Sequence, residues 1–147
     1  MATLTASGLV LILAATAQIV FTLALILFAG RTRLGAIRRG EVHIRDIAVS
    51  GEGWPPAVRA VGNAMNNQFE TPTLFYALVA FLVLLGDPGW IAALIAWGYV
   101  GARIGHAVVY IRGNHVPTRF RWFFAGFLFL AALAVLTFGI ILLRLVS

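Results

Sequence analysis

Four long apolar segments constrain the fold of this chain more than any other feature of its sequence. The first, residues 8–29, contains no charged residue, and a helix needs about 20 mostly apolar residues to cross a hydrocarbon core. Residues 58–85, 90–111 and 120–143 are three further segments of comparable length. The sequence therefore predicts an all-α integral membrane protein, in which a four-helix bundle occupies residues 1–147 as one domain.

The composition excludes an ordinary soluble domain. Hydrophobic residues make up 61% of the chain and charged residues 11%, whereas soluble domains carry about 45–50% and about 25%. A chain of 147 residues has too small an interior to hide so much apolar surface from water, so membrane lipids are its expected surroundings. Since the chain has no Cys, any thiol chemistry requires a thiol that belongs to a substrate.

The basic residues predict the orientation in the membrane. The net charge is +6, and most of the eleven basic residues, all Arg, lie in the connections after the first and third spans. The opposite side has only Arg144 and Asp87. The positive-inside rule places both arginine-rich connections in the cytoplasm and both termini outside. Because topology explains these arginines, no nucleic-acid partner is expected.

The second span is predicted to be one long helix from Pro56 to Leu85. Pro56 suits the first turn of a helix, where a proline costs no hydrogen bond. Pro72 lies inside the segment and removes one backbone hydrogen bond, so it should kink the helix just beyond Glu70. Residues 86–89 have the composition of a tight turn.

Two stripes of polar residues interrupt the apolar spans. Residues three or four positions apart share one face of a helix. The stripe on the second span consists of Arg59, Asn63, Asn66 and Glu70, with Asn67 as a neighbour. The stripe on the third span consists of Arg103, His106 and Tyr110. Ionisable groups inside a membrane usually face the bundle interior and pair with one another, so Glu70 and Arg103 are candidates for an ion pair, whose role is structural or functional.

The polar residues have a structural and a functional interpretation. Polar contacts between membrane helices can serve only to hold the helices together. This is the favoured interpretation for Gln18, which has no polar companions on the first span. His106 has no second histidine or carboxylate at ligand spacing on its helix, so no metal site is predicted. The whole set, however, is what a small anionic ligand with amide groups needs, because Arg binds carboxylates and Asn binds peptide groups.

These residues resemble a known family, MAPEG, the membrane-associated proteins of eicosanoid and glutathione metabolism. The family pattern has Arg-Ala, an Asn four residues after the Arg, a Glu three residues after that Asn, and a Pro shortly beyond. The stretches Arg59–Asn66 and Asn67–Pro72 resemble it. A second similarity is Ala102-Arg103 with Tyr110 and Arg112, followed by a basic connection. Length and span count fit as well.

The resemblance implies a homotrimer of four-helix subunits with glutathione bound between neighbouring subunits. Carried over to this chain, Arg59 and Asn63 would bind the charged and amide groups of glutathione, and Arg103 and Tyr110 would line the same pocket. An arginine near the start of the fourth span would stabilise the thiolate. Arg119 is the first choice for this role, and Arg112 and Arg121 are the alternatives.

Two departures distinguish this chain from the family pattern. Asn66 occupies the position of the family's Glu, and the nearest carboxylate, Glu70, lies one helical turn further on. His106 stands where eicosanoid-forming members tend to have a Tyr. The chain therefore resembles a divergent bacterial branch, which implies an inner-membrane location, rather than an eicosanoid synthase.

Three functions compete at this point. The leading hypothesis is a glutathione-dependent transferase or peroxidase that acts on lipophilic electrophiles. The alternative is a non-catalytic lipid-binding or scaffold protein of the same fold. A small multidrug transporter is the weakest hypothesis, because such a protein needs a carboxylate in its first helix and residues 8–29 contain none.

Overall fold

The fold is all-helical throughout the part of the chain that the structure describes. The computed structural model describes residues 4–48, 51–86 and 88–146, and no strand occurs among them. The α-helices in chain order are α1 (Ala6–Arg38), α2 (Ile44–Ile47), α3 (Pro56–Asn66), α4 (Thr71–Leu84), α5 (Gly89–Arg112) and α6 (Val116–Leu145). Short 3₁₀ turns lie at Gly51–Gly53 and Asn67–Phe69. The predicted all-α class is confirmed.

Three helices are long and apolar enough to cross a membrane. They are α1 with 33 residues, α5 with 24 and α6 with 30. This confirms an integral membrane protein, and the many large apolar side chains on the outer surface, such as Leu94 and Phe138, suit contact with lipid. The predicted second span is not one long helix, because α3 has 11 residues and α4 only 14.

The interruption of the second span precedes Glu70, whereas the sequence predicted a continuous helix with a kink beyond it. The 3₁₀ turn Asn67–Phe69 ends α3, and the backbone of Glu70 has φ −93° and ψ −100°, outside the helical region. Pro72 then lies in the first turn of α4, where its missing N–H breaks no hydrogen bond. The proline therefore helps α4 to begin rather than bending a continuous helix.

Helix α1 extends nine residues beyond the predicted end of the first span, from residue 29 to Arg38. It ends in a Schellman motif, in which Gly40 has φ +69° and the N–H of Glu41 donates to the carbonyl of Ala36 over 3.1 Å. A 33-residue helix is about 50 Å long, more than the about 30 Å of a hydrocarbon core. The arginines of its last turns therefore lie on a helical extension rather than in a loop.

The core lies where α5 packs against α1, α4 and α6. Leu11, Phe75, Tyr99 and Leu133 are fully enclosed there. The rings of Phe75 and Tyr99 stack with their centroids 4.5 Å apart, and the Tyr99 hydroxyl donates to Oγ1 of Thr71 over 3.1 Å. This stack joins the beginning of α4 to α5 and so fixes where the second span resumes after its interruption.

Two glycines allow α5 and α6 to approach closely. A Cβ atom at Gly98 would lie 2.5 Å from the ring of Phe129, and one at Gly105 would lie 2.6 Å from the ring of Trp122. Small residues are the usual means by which membrane helices bring their backbones together. The first turns of α6 are thereby held against the last turns of α5.

Both arginine-rich connections lie at the same end of the bundle. A cavity at that end is lined by residues from the end of α1, the beginning of α3 and the end of α5, among them Thr32, Ala57 and Ile111. At the opposite end, the Arg144 guanidinium donates to the carbonyl of Leu85. Asp87, the other charged residue predicted for that end, lies outside the described residues.

Candidate functional site

The candidate site is a cavity of about 230 Å³ at the arginine-rich end of the bundle. The end of α5, the beginning of α6 and the 3₁₀ turn enclose it. It is lined by Asn67, His106, Tyr110, Arg119, Phe120 and Phe123, and we call it the Arg119 cavity. A cation, an imidazole, a phenol and an amide thus meet two phenyl rings in one small space.

Arg119 supplies the positive charge of this cavity. Its guanidinium carbon lies 4.3 Å from the centre of the Tyr110 ring, which is the geometry of a cation–π contact. The guanidinium also donates to Oδ1 of Asn114, a residue that adopts φ +49° in the tight connection between α5 and α6. Two contacts therefore orient the arginine before any ligand arrives.

His106 forms part of the cavity wall and is only 4% exposed. Its ring meets Tyr110 edge-on, with centroids 5.9 Å apart, and its centroid lies 6.2 Å from that of Phe123. The Nδ1 atom is enclosed and has no hydrogen-bond partner among the described residues. The imidazole is thus held by ring contacts rather than by a polar partner.

Arg103 lies one helical turn before His106 and is 2% exposed. Its Nη2 donates to the backbone carbonyl of Asn67 over 2.6 Å, while its Nε has no partner within the described residues. The carbonyl is available because the 3₁₀ turn leaves it outside a regular helical ladder. Arg103 therefore anchors the interruption of the second span.

The predicted ion pair between Glu70 and Arg103 is wrong. Across residues 4–48, 51–86 and 88–146, salt bridges form only between Arg39 and Glu41, at 2.6 Å, and between Arg45 and Asp46, at 3.7 Å. Glu70 is exposed, because the 3₁₀ turn at Asn67–Phe69 and the non-helical backbone of Glu70 remove it from the face on which a continuous helix would have placed it. The carbonyl of Asn67 takes the carboxylate's place as the partner of Arg103.

The structure brings only part of the predicted site together. Arg119, His106 and Tyr110 line one cavity, and Arg103 lies behind it. The stripe residues Arg59, Asn63, Asn66 and Glu70 are exposed on the surface of the single chain and do not line this cavity. Arg112 is also exposed and borders a separate cavity of about 270 Å³ beside His115 and Thr118.

Asn67 lines the cavity, although the spacing of the polar residues predicted only that it would lie beside the stripe on the second span. In a continuous helix it would lie only beside the stripe, but the 3₁₀ turn directs it into the cavity wall. Its Nδ2 donates to the carbonyl of Asn63 over 2.9 Å. The sequence contained a signal for this position, because Glu70 follows Asn67 by three residues, which is the Asn-to-Glu spacing of the family pattern.

Arg33 is a second residue that the sequence argument did not single out. Its guanidinium carbon lies 5.7 Å from the centre of the Trp54 ring, and its Nη2 would lie 3.1 Å from a Cβ atom at Gly62. Gly62 is buried, so α1 brings this cation against the packed face of α3 rather than onto its exposed stripe. Only the extension of α1 beyond residue 29 makes this contact possible.

The model of the MAPEG family matches residues 11–139, which include the Arg119 cavity and both polar stripes. The chain belongs to the MAPEG family. This MAPEG protein therefore has its candidate cavity inside the family's matched region, and the family assignment agrees with its membrane-spanning helices. A search of the curated proteins found no match.

Proposed function

We propose that this MAPEG protein is a membrane-bound glutathione-dependent transferase or peroxidase that acts on lipophilic electrophiles. The observation that carries the proposal is the Arg119 cavity, which offers a preoriented guanidinium and has no carboxylate in its lining among the described residues. Proteins of the MAPEG family generally use glutathione, whose sulfur becomes reactive as an anion. A cationic cavity is suited to that anion.

The chemistry assigned to Arg119 is thiolate stabilisation. A cation beside a thiol favours the ionised form, and the thiolate is the nucleophile. In the transferase reaction the sulfur forms a bond to the electrophilic carbon and the leaving group departs with its electron pair. Because Tyr110 and Asn114 already hold the guanidinium, little reorganisation is needed when the charge develops on sulfur.

The lipophilic co-substrate would reach the sulfur from the lipid side. Phe120 and Phe123 line the cavity and are themselves exposed on the outer face of α6. A molecule dissolved in the hydrocarbon core could therefore meet the cavity without passing through water. This route supports electrophiles that partition into membranes as the substrate class.

In this proposal the exposed stripe of a neighbouring subunit binds the parts of glutathione that lie outside the Arg119 cavity. A cavity of about 230 Å³ is smaller than the about 300–1,000 Å³ of typical small-molecule sites, so one chain supplies only part of a tripeptide site. We propose a homotrimer in which Arg59, Asn63 and Asn66 of one subunit complete the Arg119 cavity of the next. Glu70 and Arg112 border this composite site in the proposal.

Glutathione binding by the detergent-purified protein tests the proposal. Isothermal titration would compare the wild type with Arg119→Ala, Arg59→Ala and Asn63→Ala. Arg45→Ala is the matched control, because Arg45 is an exposed arginine of the first connection, away from the cavity. We expect saturable binding that the first three substitutions weaken at least tenfold and the control leaves unchanged. Absence of binding in folded wild type would contradict the proposal.

A non-catalytic lipid-binding protein is the second candidate, and one observation favours it. An apolar groove of about 350 Å³ lies between α4 and α6, lined by residues that include Leu74, Phe81 and Phe127. Such a groove suits an acyl chain. A tightly copurifying lipid, together with no conjugation of a model electrophile, would favour this candidate over the enzyme.

A further inference from the structure

One nitrogen of the His106 ring is enclosed without a hydrogen-bond partner, and this bears on which of the two ring nitrogens can donate to a ligand. The imidazole is 4% exposed and wedged against Tyr110 and Phe123. Nδ1 is the enclosed nitrogen, and no acceptor lies within hydrogen-bond distance of it among the described residues. Nδ1 lacks a partner in either tautomer, but a proton on Nε2 can reach an acceptor in the cavity, whereas a proton on the enclosed Nδ1 cannot. The tautomer with its proton on Nε2 is therefore the one that can donate to a ligand.

The charged and polar groups around the His106 ring favour the binding of an anion in the Arg119 cavity. Arg103 and Tyr110 face it from its own helix, Arg119 faces it from α6, and the amide of Asn67 lies across the cavity. No carboxylate lines this space in the described parts of the chain. Arg119 and His106 both line the cavity, so an anionic atom there could accept from both, while Arg103 behind the cavity adds a further positive charge.

We propose that His106 is a second thiolate-stabilising group of the Arg119 cavity, which donates a hydrogen bond from Nε2 to the glutathione sulfur. This inference rests on the proposed function and assigns the sulfur, rather than a carboxylate of glutathione, to this cavity. His106 keeps its proton throughout. When the thiol ionises, the S–H bond breaks, the proton passes to water, and the electron pair left on sulfur accepts from Nε2 and from Arg119.

The aromatic part of the lining supports the choice of sulfur over a carboxylate. Phe120 and Phe123 form part of the cavity wall, and a polarisable sulfur makes favourable contacts with phenyl rings. A thiolate bordered by phenyl rings is also open to a lipophilic electrophile from the lipid side. Sulfur in this position is therefore both stabilised and accessible.

The test is a titration of the bound thiol in two variants at the same position. His106→Phe keeps an aromatic ring but removes the donor, whereas the side-chain amide of His106→Gln retains a donor near the position of Nε2. The ultraviolet absorbance of thiolate, followed against pH at saturating glutathione, measures the ionised fraction. We expect His106→Phe to raise the midpoint by about one pH unit, the size of one hydrogen bond to a charged group. His106→Gln should retain at least half of the stabilisation.

A ligand without an ionisable thiol separates this role from a structural one. S-methylglutathione cannot form a thiolate, so the proposal predicts that His106→Phe changes its dissociation constant less than about twofold. An unchanged thiolate midpoint in His106→Phe would overturn the role of His106 alone. Equal losses of glutathione and S-methylglutathione binding, or a His106→Gln variant as defective as His106→Phe, would also overturn it. A folded wild type that binds no glutathione would overturn this inference together with the proposed function.

Discussion

Gln18 shows how a polar residue is accommodated inside this bundle. Its side chain is 0% exposed, and the hydroxyl of Thr22, one turn further along α1, donates to its backbone carbonyl over 2.9 Å. Its Nε2 donates to Oε1 of Gln68 over 3.0 Å, and Nε2 of Gln68 donates to the carbonyl of Ala64 over the same distance. The interpretation of Gln18 as a residue that contacts another helix is confirmed. The contact also ties α1 to the 3₁₀ turn, so a pair of amides helps to hold the interruption of the second span.

Replacing Gln18 by Leu should lower the free energy of unfolding by about 1 kcal/mol. Interhelical polar contacts in membranes average about 0.6 kcal/mol and reach about 1.7, and here the loss also leaves Gln68 without its α1 partner. Thermal or denaturant unfolding in detergent measures the effect. Thr16→Val is the control on the same helix, since the Thr16 hydroxyl donates only to its own helix, at Ile12. Additive effects of Gln18→Leu and Gln68→Leu would contradict a direct coupling.

At the scale of elements, the interruption between α3 and α4 decides which side chains reach the cavity. Arg103 donates to the carbonyl of Asn67, and this contact joins α5 to the 3₁₀ turn. The turn places Asn67 in the cavity wall and leaves Glu70 exposed. Arg103 is therefore a positioning residue, because its buried guanidinium holds the turn that places Asn67 in the cavity wall.

Arg103→Met should destabilise the protein by about 1–3 kcal/mol, because the partly buried hydrogen bond from the charged guanidinium to the Asn67 carbonyl is lost. We also expect weaker glutathione binding, because Asn67 would no longer be held beside His106. Unfolding in detergent and isothermal titration measure the two effects. Arg112→Met is the matched control for stability, since Arg112 is an exposed arginine at the end of the same helix. Unchanged stability of Arg103→Met would show that the turn does not depend on this contact.

Gly98 provides a second test at the level of helix packing. A methyl group at this position meets the ring of Phe129 at 2.5 Å, so Gly98→Ala should cost about 1–3 kcal/mol by overpacking the contact between α5 and α6. Gly101→Ala, on the same helix, has nothing within 4 Å of its new Cβ and should be neutral or stabilising. The difference in thermal unfolding between the two variants is the readout. Equal midpoints would mean that the helices do not approach as closely as described.

For the whole molecule, the arrangement of its two ends predicts the topology. The ends of α1 and α5 and the beginning of α3 lie together, while Arg144 contacts Leu85 at the opposite end. On the positive-inside rule we propose that the arginine-rich end lies in the cytoplasm. The Arg119 cavity lies at that end, so under the proposed function glutathione would enter from the cytoplasm.

Single cysteines can test this topology directly, because the chain has no Cys of its own. In intact cells, a membrane-impermeant maleimide should label Val146→Cys but neither Glu52→Cys nor His115→Cys. All three positions are exposed, so each should react after lysis. Labelling of Glu52→Cys and His115→Cys in intact cells, with protection of Val146→Cys, would reverse the orientation.

Some features of this protein could be predicted from the sequence because they depend on neighbouring residues in the chain. The length and apolarity of residues 8–29, 90–111 and 120–143 predict the membrane helices that the structure contains, and the short patterns in the second and third spans predicted the MAPEG family. The end of α1 was missed because the change from apolar to charged residues marks the edge of the lipid rather than the end of the helix.

The sequence by itself determined the all-helical membrane class, the family and the concentration of arginine at one end of the bundle, because apolarity, helical length and charge are properties of the chain itself. Only the tertiary structure decided that the second span is interrupted at Asn67, that Arg103 binds a carbonyl instead of Glu70, and that Arg119, His106 and Tyr110 share one cavity. These outcomes depend on contacts between helices distant in sequence. A buried guanidinium takes the partner that packing brings within reach, and helical periodicity alone does not specify that partner.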